Sequence, residues 1–226
     1  MKPQWVTSLL AGGKIAARVA KEHYLHCVVD APKHIAHMEY AEHEKAILRR
    51  RKFKITMLQK IMQSQKPFQT IPEITAWSKQ YDRKRPLDRY QFLVLDGKSK
   101  MGKTRFVQKT LVDHPDKALI LDCADAEVPA LKGNYNADQH ELILFDEAHI
   151  DMVIRCKKLF QASIDEVTYG SSPTNAFIHT VDVHMVKMVV CSNVWSAELE
   201  KLPKEHQEWL VANSVLFVVD CPLWVP

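Results

Sequence analysis

Apolar positions along the first 80 residues recur at helical spacing. The stretch KIAARVAKEHYLHCVV (14–29) has that period, and YAEHEKAILRRRKFKITMLQKIMQSQ (40–65) reads as a longer, basic amphipathic helix. FQTIPEITAWSKQY (68–81) predicts a short helix opened by Pro72 in its first turn. The pattern then changes around DRKRPLDRY (82–90), where charge and Pro86 interrupt it. Beyond lie short apolar runs: YQFLVLD (90–96), ALILDC (118–123), ELILFD (141–146), VKMVVCS (186–192) and SVLFVVD (214–220). Runs without alternation are what strands of a parallel sheet need when both faces are covered. Helices are expected between them, at about 103–112, 152–165 and 204–213. The expected fold is therefore an α/β sandwich behind a basic helical N-terminal region.

Charge sharpens that division. Residues 1–90 carry 18 Lys+Arg against 8 Asp+Glu, and residues 91–226 carry 13 against 19. A basic front half suggests a polyanion-binding segment, with a solvated helix face as the plainer reading. Arg49, Arg50, Arg51, Lys52 and Lys54 concentrate the charge; phosphate contact, a nuclear-import signal and an oligomerisation collar all fit them. The five cysteines are scattered and form no C-x-x-C pair, which points to reduced thiols and a nuclear or cytoplasmic location. The N-terminal stretch lacks the apolar core of a secretory signal, although its freedom from acids is shared by mitochondrial presequences. No run approaches the roughly 18 apolar residues of a membrane helix, so no membrane role is expected. Five of the eleven histidines lie between His23 and His43, near Cys27, but at no standard zinc-ligand spacing.

The chemistry begins at LVLDGKSKMGKTRF (93–106), which carries the G-x-x-x-x-G-K-[ST] spacing between an apolar run and a helix-compatible one. Gly97 and Gly102 let the backbone wrap phosphates, with Lys98, Ser99, Lys100 and Met101 forming the loop between them. Lys103 would reach the β- and γ-phosphates, and Thr104 would ligate Mg²⁺. ELILFDEAH (141–149) ends an apolar strand in Asp146, placed to hold Mg²⁺ beside the loop, and Glu147, placed to polarise an attacking water. VKMVVCSN (186–193) ends in Asn193, whose amide can sense the γ-phosphate or the water. These residue types predict binding and hydrolysis of a Mg·nucleoside triphosphate. The five tryptophans are expected mainly as core or interface anchors, with Trp195, two residues past Asn193, the one to test for nucleotide or DNA contact.

GKSKMGKT, LILFDE and VVCSN, in that order and compact spacing, resemble the Walker A, Walker B and C motifs of superfamily 3 helicases. More closely, the chain resembles the helicase domain of the replication-associated (Rep) proteins of geminivirus-type, circular single-stranded DNA viruses and their eukaryotic relatives. The ending HQEWLVANSVLFVVDCPLW and the approach IPEITAWSKQY extend that likeness, which covers about 68–226. It implies an AAA+-like P-loop NTPase, a three-layer sandwich, over 68–226, with 1–67 as the basic helical region. It also implies an ATP-driven oligomer, hexameric in that family, moving on single-stranded DNA, with RNA as the alternative. Two departures stand beside it. The nuclease motifs of Rep proteins have no counterpart, since HIAH (His34, His37) is wrongly spaced, so no nicking is expected. No arginine follows Arg155 to act as a finger on a neighbour's nucleotide, leaving Lys201 and Lys204 in that region. The family's DNA-contacting hairpin would fall on YGSSPTNAFIHTVDVHMVK (169–187), with Gly170, His179, His184 and Lys187 as candidates or as a plain surface hairpin. A non-unwinding ATP-binding module and a small-molecule P-loop kinase remain alternatives, the kinase disfavoured by the missing arginines.

Overall fold

The computed structural model describes residues 31–64, 66–131, 134–170 and 178–225. The chain divides into two compact units, Met1–Ile61 and Met62–Pro226. Of the first, every described residue lies in one long helix, α1 (Ala31–Ser64). This helix includes residues ahead of the stretch 40–65 that the periodicity predicted. It is also less cleanly amphipathic than expected. Ile47, Phe53, Met57 and Ile61 are exposed together with Lys45, Arg49, Arg50, Lys52 and Lys54. The predicted helix at 14–29, Trp5, His23 and Cys27 lie outside the described residues, as do the side chains of His34, His37 and His43.

The second unit is built on a five-stranded sheet. Its strands are β1 (Phe92–Asp96), β2 (Ala118–Asp122), β3 (Leu142–Asp146), β6 (Lys187–Ser192) and β7 (Ser214–Val218). A separate antiparallel pair comprises β4 (Val167–Gly170) and β5 (Ile178–Val181). The order in the main sheet is β2-β3-β6-β1-β7, and every pairing is parallel. The apolar runs therefore stand where both faces are covered. Phe92 and Val94 join one core with Ile143, Phe145, Met188 and Val190. Leu93 and Leu95 join the other with Leu142, Leu144, Val189 and Cys191. Each of these side chains is essentially inaccessible to water, and full burial of such a residue stabilises by about 1.5–3 kcal/mol.

Helices close both faces. On the second core lie α2 (Pro72–Ser78), through Ile74 and Trp77, and α3 (Lys103–Thr110), through Phe106 and Val107. On the first core lie α4 (Ile150–Arg155), α5 (Lys157–Phe160), α6 (Trp195–Leu199) and α7 (Lys204–Asn213). The predicted helix over 152–165 is instead two short ones. Cys156 leaves helical geometry between them (φ −109°, ψ 30°), and Ala162, at φ 41°, ends the segment.

Parallel pairing brings the C-terminal ends of β1, β3 and β6 to one edge of the sheet. β6 lies between the other two. The Asn193 strand separates them.

Candidate functional site

The loop after β1 is shaped by two glycines. A Cβ on Gly97 would stand 2.5 Å from the Val219 carbonyl oxygen, so the C-terminal segment permits no side chain there. Gly102 has φ 89° and caps the N-terminus of α3, a conformation that glycine adopts without strain. Between them Lys98, Ser99 and Lys100 are exposed, Lys100 at φ 66°, and Met101 is half-buried. The first N–H groups of α3 have no partner within the helix, and with the helix dipole they favour an anion at this end.

Lys103 is the first residue of that helix and is buried. Its Nζ donates to Asn193 Oδ1 at 2.8 Å, to the Lys98 carbonyl at 3.0 Å and to the Gly97 carbonyl. Burial lowers its pKa, opposed by the field of Cys191, Asp96, Asp146 and Glu147. The ammonium therefore sits folded back across the loop, held by uncharged oxygens that an anionic phosphate would outcompete. Asn193 Nδ2 also donates to Ser99 Oγ at 3.4 Å.

Thr104 follows on the same turn. Its hydroxyl lies 3.1 Å from both oxygens of Asp146. The Asp146 carboxyl is pushed above the usual range chiefly by burial, with Glu147 adding to the rise and Thr104 and Lys103 opposing it. One hydroxyl and one carboxylate are hard oxygen donors of the kind Mg²⁺ takes while keeping waters and phosphate oxygens, so the pair fits that ion. Among the described residues, no three His, Cys, Asp or Glu side chains gather into a self-sufficient metal cluster. Glu147 is exposed at φ 57°, a left-handed conformation uncommon for a non-glycine residue.

Two carboxylates that the motifs did not single out tie these strand ends together. Asp96, buried at the end of β1, accepts from the Trp195 N–H (3.2 Å), the Ser196 N–H (2.9 Å) and Ser196 Oγ (2.5 Å). It caps α6, the helix that follows Asn193. At the other end of α6, Glu198 accepts from the Ile150 N–H at 3.0 Å and pairs with His149 at 2.5 Å. The turn carrying Glu147 is thus anchored to the same short helix. An acidic residue one turn after motif C was the available sequence signal; the contact itself depends on which strands are neighbours.

Several candidates lie elsewhere. Trp195 is a core residue, edge-on to Phe92 and 1% exposed, so it is not a contact surface. Lys187 begins β6 at the opposite end of the sheet, where its Nζ donates to the Leu111 carbonyl at 2.8 Å. His184 packs against Tyr90 and shares a hydrogen bond with the Leu87 carbonyl. Gly170 lies in β4 and His179 in β5; residues 171–177 between these strands, and the His179 side chain, lie outside the described residues. Lys201 and Lys204 are exposed, Lys204 with Glu208 at 3.7 Å.

No protein-family model matches the chain, and no curated protein matches it. Among solved structures, a chain described as "Closed State CryoEM Reconstruction of Hsp104:ATPyS and FITC casein" is distantly similar at 18% identity and a TM-score of 0.36. The match covers 64% of this chain and 29% of that one, so it spans under a third of the other protein. No helix among the described residues is long and apolar enough to cross a membrane. Cys123, Cys156, Cys191 and Cys221 are free thiols; burial pushes Cys123 up to about 12 and Cys191 higher.

Proposed function

We propose that this chain binds and hydrolyses ATP with Mg²⁺, and uses the energy to move along single-stranded DNA as an oligomeric helicase of the superfamily 3 Rep type. The observation that carries the hydrolytic part is the convergence of three strand ends. Lys103 meets Asn193 at 2.8 Å, and Thr104 meets Asp146 at 3.1 Å, on the anion-favouring end of α3. In this reading the α3 amides and Lys103 bind the triphosphate, and Lys103 trades its carbonyl partners for phosphate oxygens. Thr104 and Asp146 would hold Mg²⁺, which supplies charge neutralisation on the transferred phosphoryl group. Glu147 accepts a proton from water as the water oxygen attacks the γ-phosphorus and the bond to the bridging oxygen breaks, releasing ADP and phosphate. Asn193, released by Lys103, hydrogen-bonds the γ-phosphate.

Two features support nucleic-acid contact: the resemblance in motif order, and the exposed cations Arg49, Arg50, Lys52 and Lys54 on α1. One observation favours the second reading, an ATP-binding module that unwinds nothing. The last arginine of the chain, Arg155, faces Glu127 at 3.3 Å, and only lysines are available beyond it. A strand-separation assay on a tailed duplex decides between them. ATP-dependent separation, lost in Lys103→Ala, supports the motor; nucleotide-dependent DNA binding without separation supports the module.

A further inference from the structure

Beside the phosphate loop is a small aromatic pocket that no motif accounts for. It encloses about 190 Å³ and is lined by Lys66, Phe68, Gly102, Arg105 and Trp224. Gly102 and Arg105 flank Lys103 and Thr104 on both sides in the sequence. The pocket thus shares Gly102, the N-cap of α3, with the glycine-rich loop.

The pocket is held in shape from both ends of the unit. Phe68 and Trp224 form an antiparallel bridge. The Val225 N–H donates to the Pro67 carbonyl at 2.8 Å and the Gln69 N–H to the Leu223 carbonyl at 2.9 Å. Gln69 Nε2 reaches the Pro222 and Trp224 carbonyls, each at 3.2 Å. The Leu223 N–H donates to the Met101 carbonyl at 3.1 Å, fastening this strap to the loop itself. The indole lies so close to Gly102 that an added Cβ would stand 2.9 Å from its ring. Phe68 is fixed edge-on against Phe106, with ring centres 5.6 Å apart. Arg105 is oriented by a 2.7 Å bond to Gln108. An aromatic wall held this firmly loses little freedom when a flat ring settles on it.

We propose that this pocket receives the nucleobase of the nucleoside triphosphate, with the base stacked against Trp224 and Phe68 and Arg105 beside it. The proposal rests on the nucleotide reading above and adds where the base goes and what recognises it. The volume agrees. It is below the roughly 300–1,000 Å³ that enclose a whole drug-sized ligand, so it suits a planar ring whose phosphates lie outside on the loop. Stacking on an aromatic face accepts any base, and a purine offers the larger face.

The test compares binding of ATP and of inorganic tripolyphosphate, both with Mg²⁺, to the full chain and to Trp224→Ala and Trp224→Phe. The expected result is a preference of the unmodified chain for ATP. Trp224→Ala should weaken ATP binding roughly 5- to 150-fold, the equivalent of one lost base–aromatic stack. It should leave tripolyphosphate binding unchanged, which also certifies that the loop is folded, and Trp224→Phe should keep most of the preference. Equal weakening of both ligands would mean that the indole only supports the loop, and unchanged ATP binding would mean that it does nothing; either overturns the proposal. An unmodified chain that binds tripolyphosphate but not ATP more tightly also overturns it while sparing the phosphate site. Binding of neither ligand overturns the nucleotide reading, and this proposal with it.

Discussion

The ammonium of Lys103 and the side-chain oxygen of Asn193 lie 2.8 Å apart although 90 residues separate them in the chain. The contact ties the phosphate-binding loop to the strand end between it and Asp146. In the proposed reading Asn193 has two successive partners, the lysine without nucleotide and the γ-phosphate with it. Asn193→Ala should therefore lower kcat roughly 10²- to 10³-fold, as for a lost transition-state donor. ATP affinity should stay unchanged or tighten, because Lys103 is freed. Parallel measurements of kcat and of ATP binding check this; a large loss of affinity with kcat intact would contradict it.

Gly102 is predicted to tolerate no side chain. Gly102→Ala meets a left-handed φ of 89° and the Trp224 ring at 2.9 Å, and strain of this kind costs about 1–3 kcal/mol. Thermal melts should show a clear drop in Tm. Adding Trp224→Ala should recover only the part due to the ring, since the backbone strain stays.

Asp146 is expected to make the stability of the nucleotide-free protein depend on pH. Burial raises its carboxyl above the value it has in the unfolded chain. Between those two values the folded state binds more protons, so this group's contribution to stability falls as pH rises through the window. Above that window the burial penalty is fully present. Asp146→Asn should raise Tm at pH 7 and flatten the dependence just above the usual carboxylate range, while abolishing Mg²⁺-dependent turnover. A lower Tm at pH 7 would be evidence against burial as the dominant influence.

Glu198 holds the turn after Glu147 from outside the candidate site. Its carboxylate holds the Ile150 N–H and His149, the residues that follow Glu147. Glu198→Ala should let that turn relax from its φ of 57° and reduce kcat on the order of tenfold, about 1.4 kcal/mol of lost positioning. KM should move little. Steady-state kinetics with the Glu198→Gln variant, which keeps one acceptor, should fall between the two.

The sheet was legible because its strands are unbroken apolar runs punctuated by chemically distinct ends: Gly97, then Asp146 with Glu147, then Asn193. Each predicted strand lies within two residues of its observed bounds. Strand order was not legible, since parallel neighbours are joined by long crossovers and nothing local states that β6 separates β1 from β3. The same non-locality hid the roles of Asp96, Glu198 and Trp224. Asp96 looked like the end of a strand, and it caps a helix about a hundred residues later. Trp224 looked like a core anchor, and register places it over Gly102. Trp195 misled in the opposite direction, because nearness to Asn193 in sequence says nothing of the face to which a helix turns its ring.

The most direct measurement is steady-state ATP hydrolysis with Mg²⁺, with and without single-stranded DNA, beside Lys103→Ala and Glu147→Gln. Turnover should rise with DNA and disappear in both variants, with Glu147→Gln still binding ATP. ATP binding without turnover, indifferent to DNA, would contradict the motor and leave a nucleotide-gated binding module.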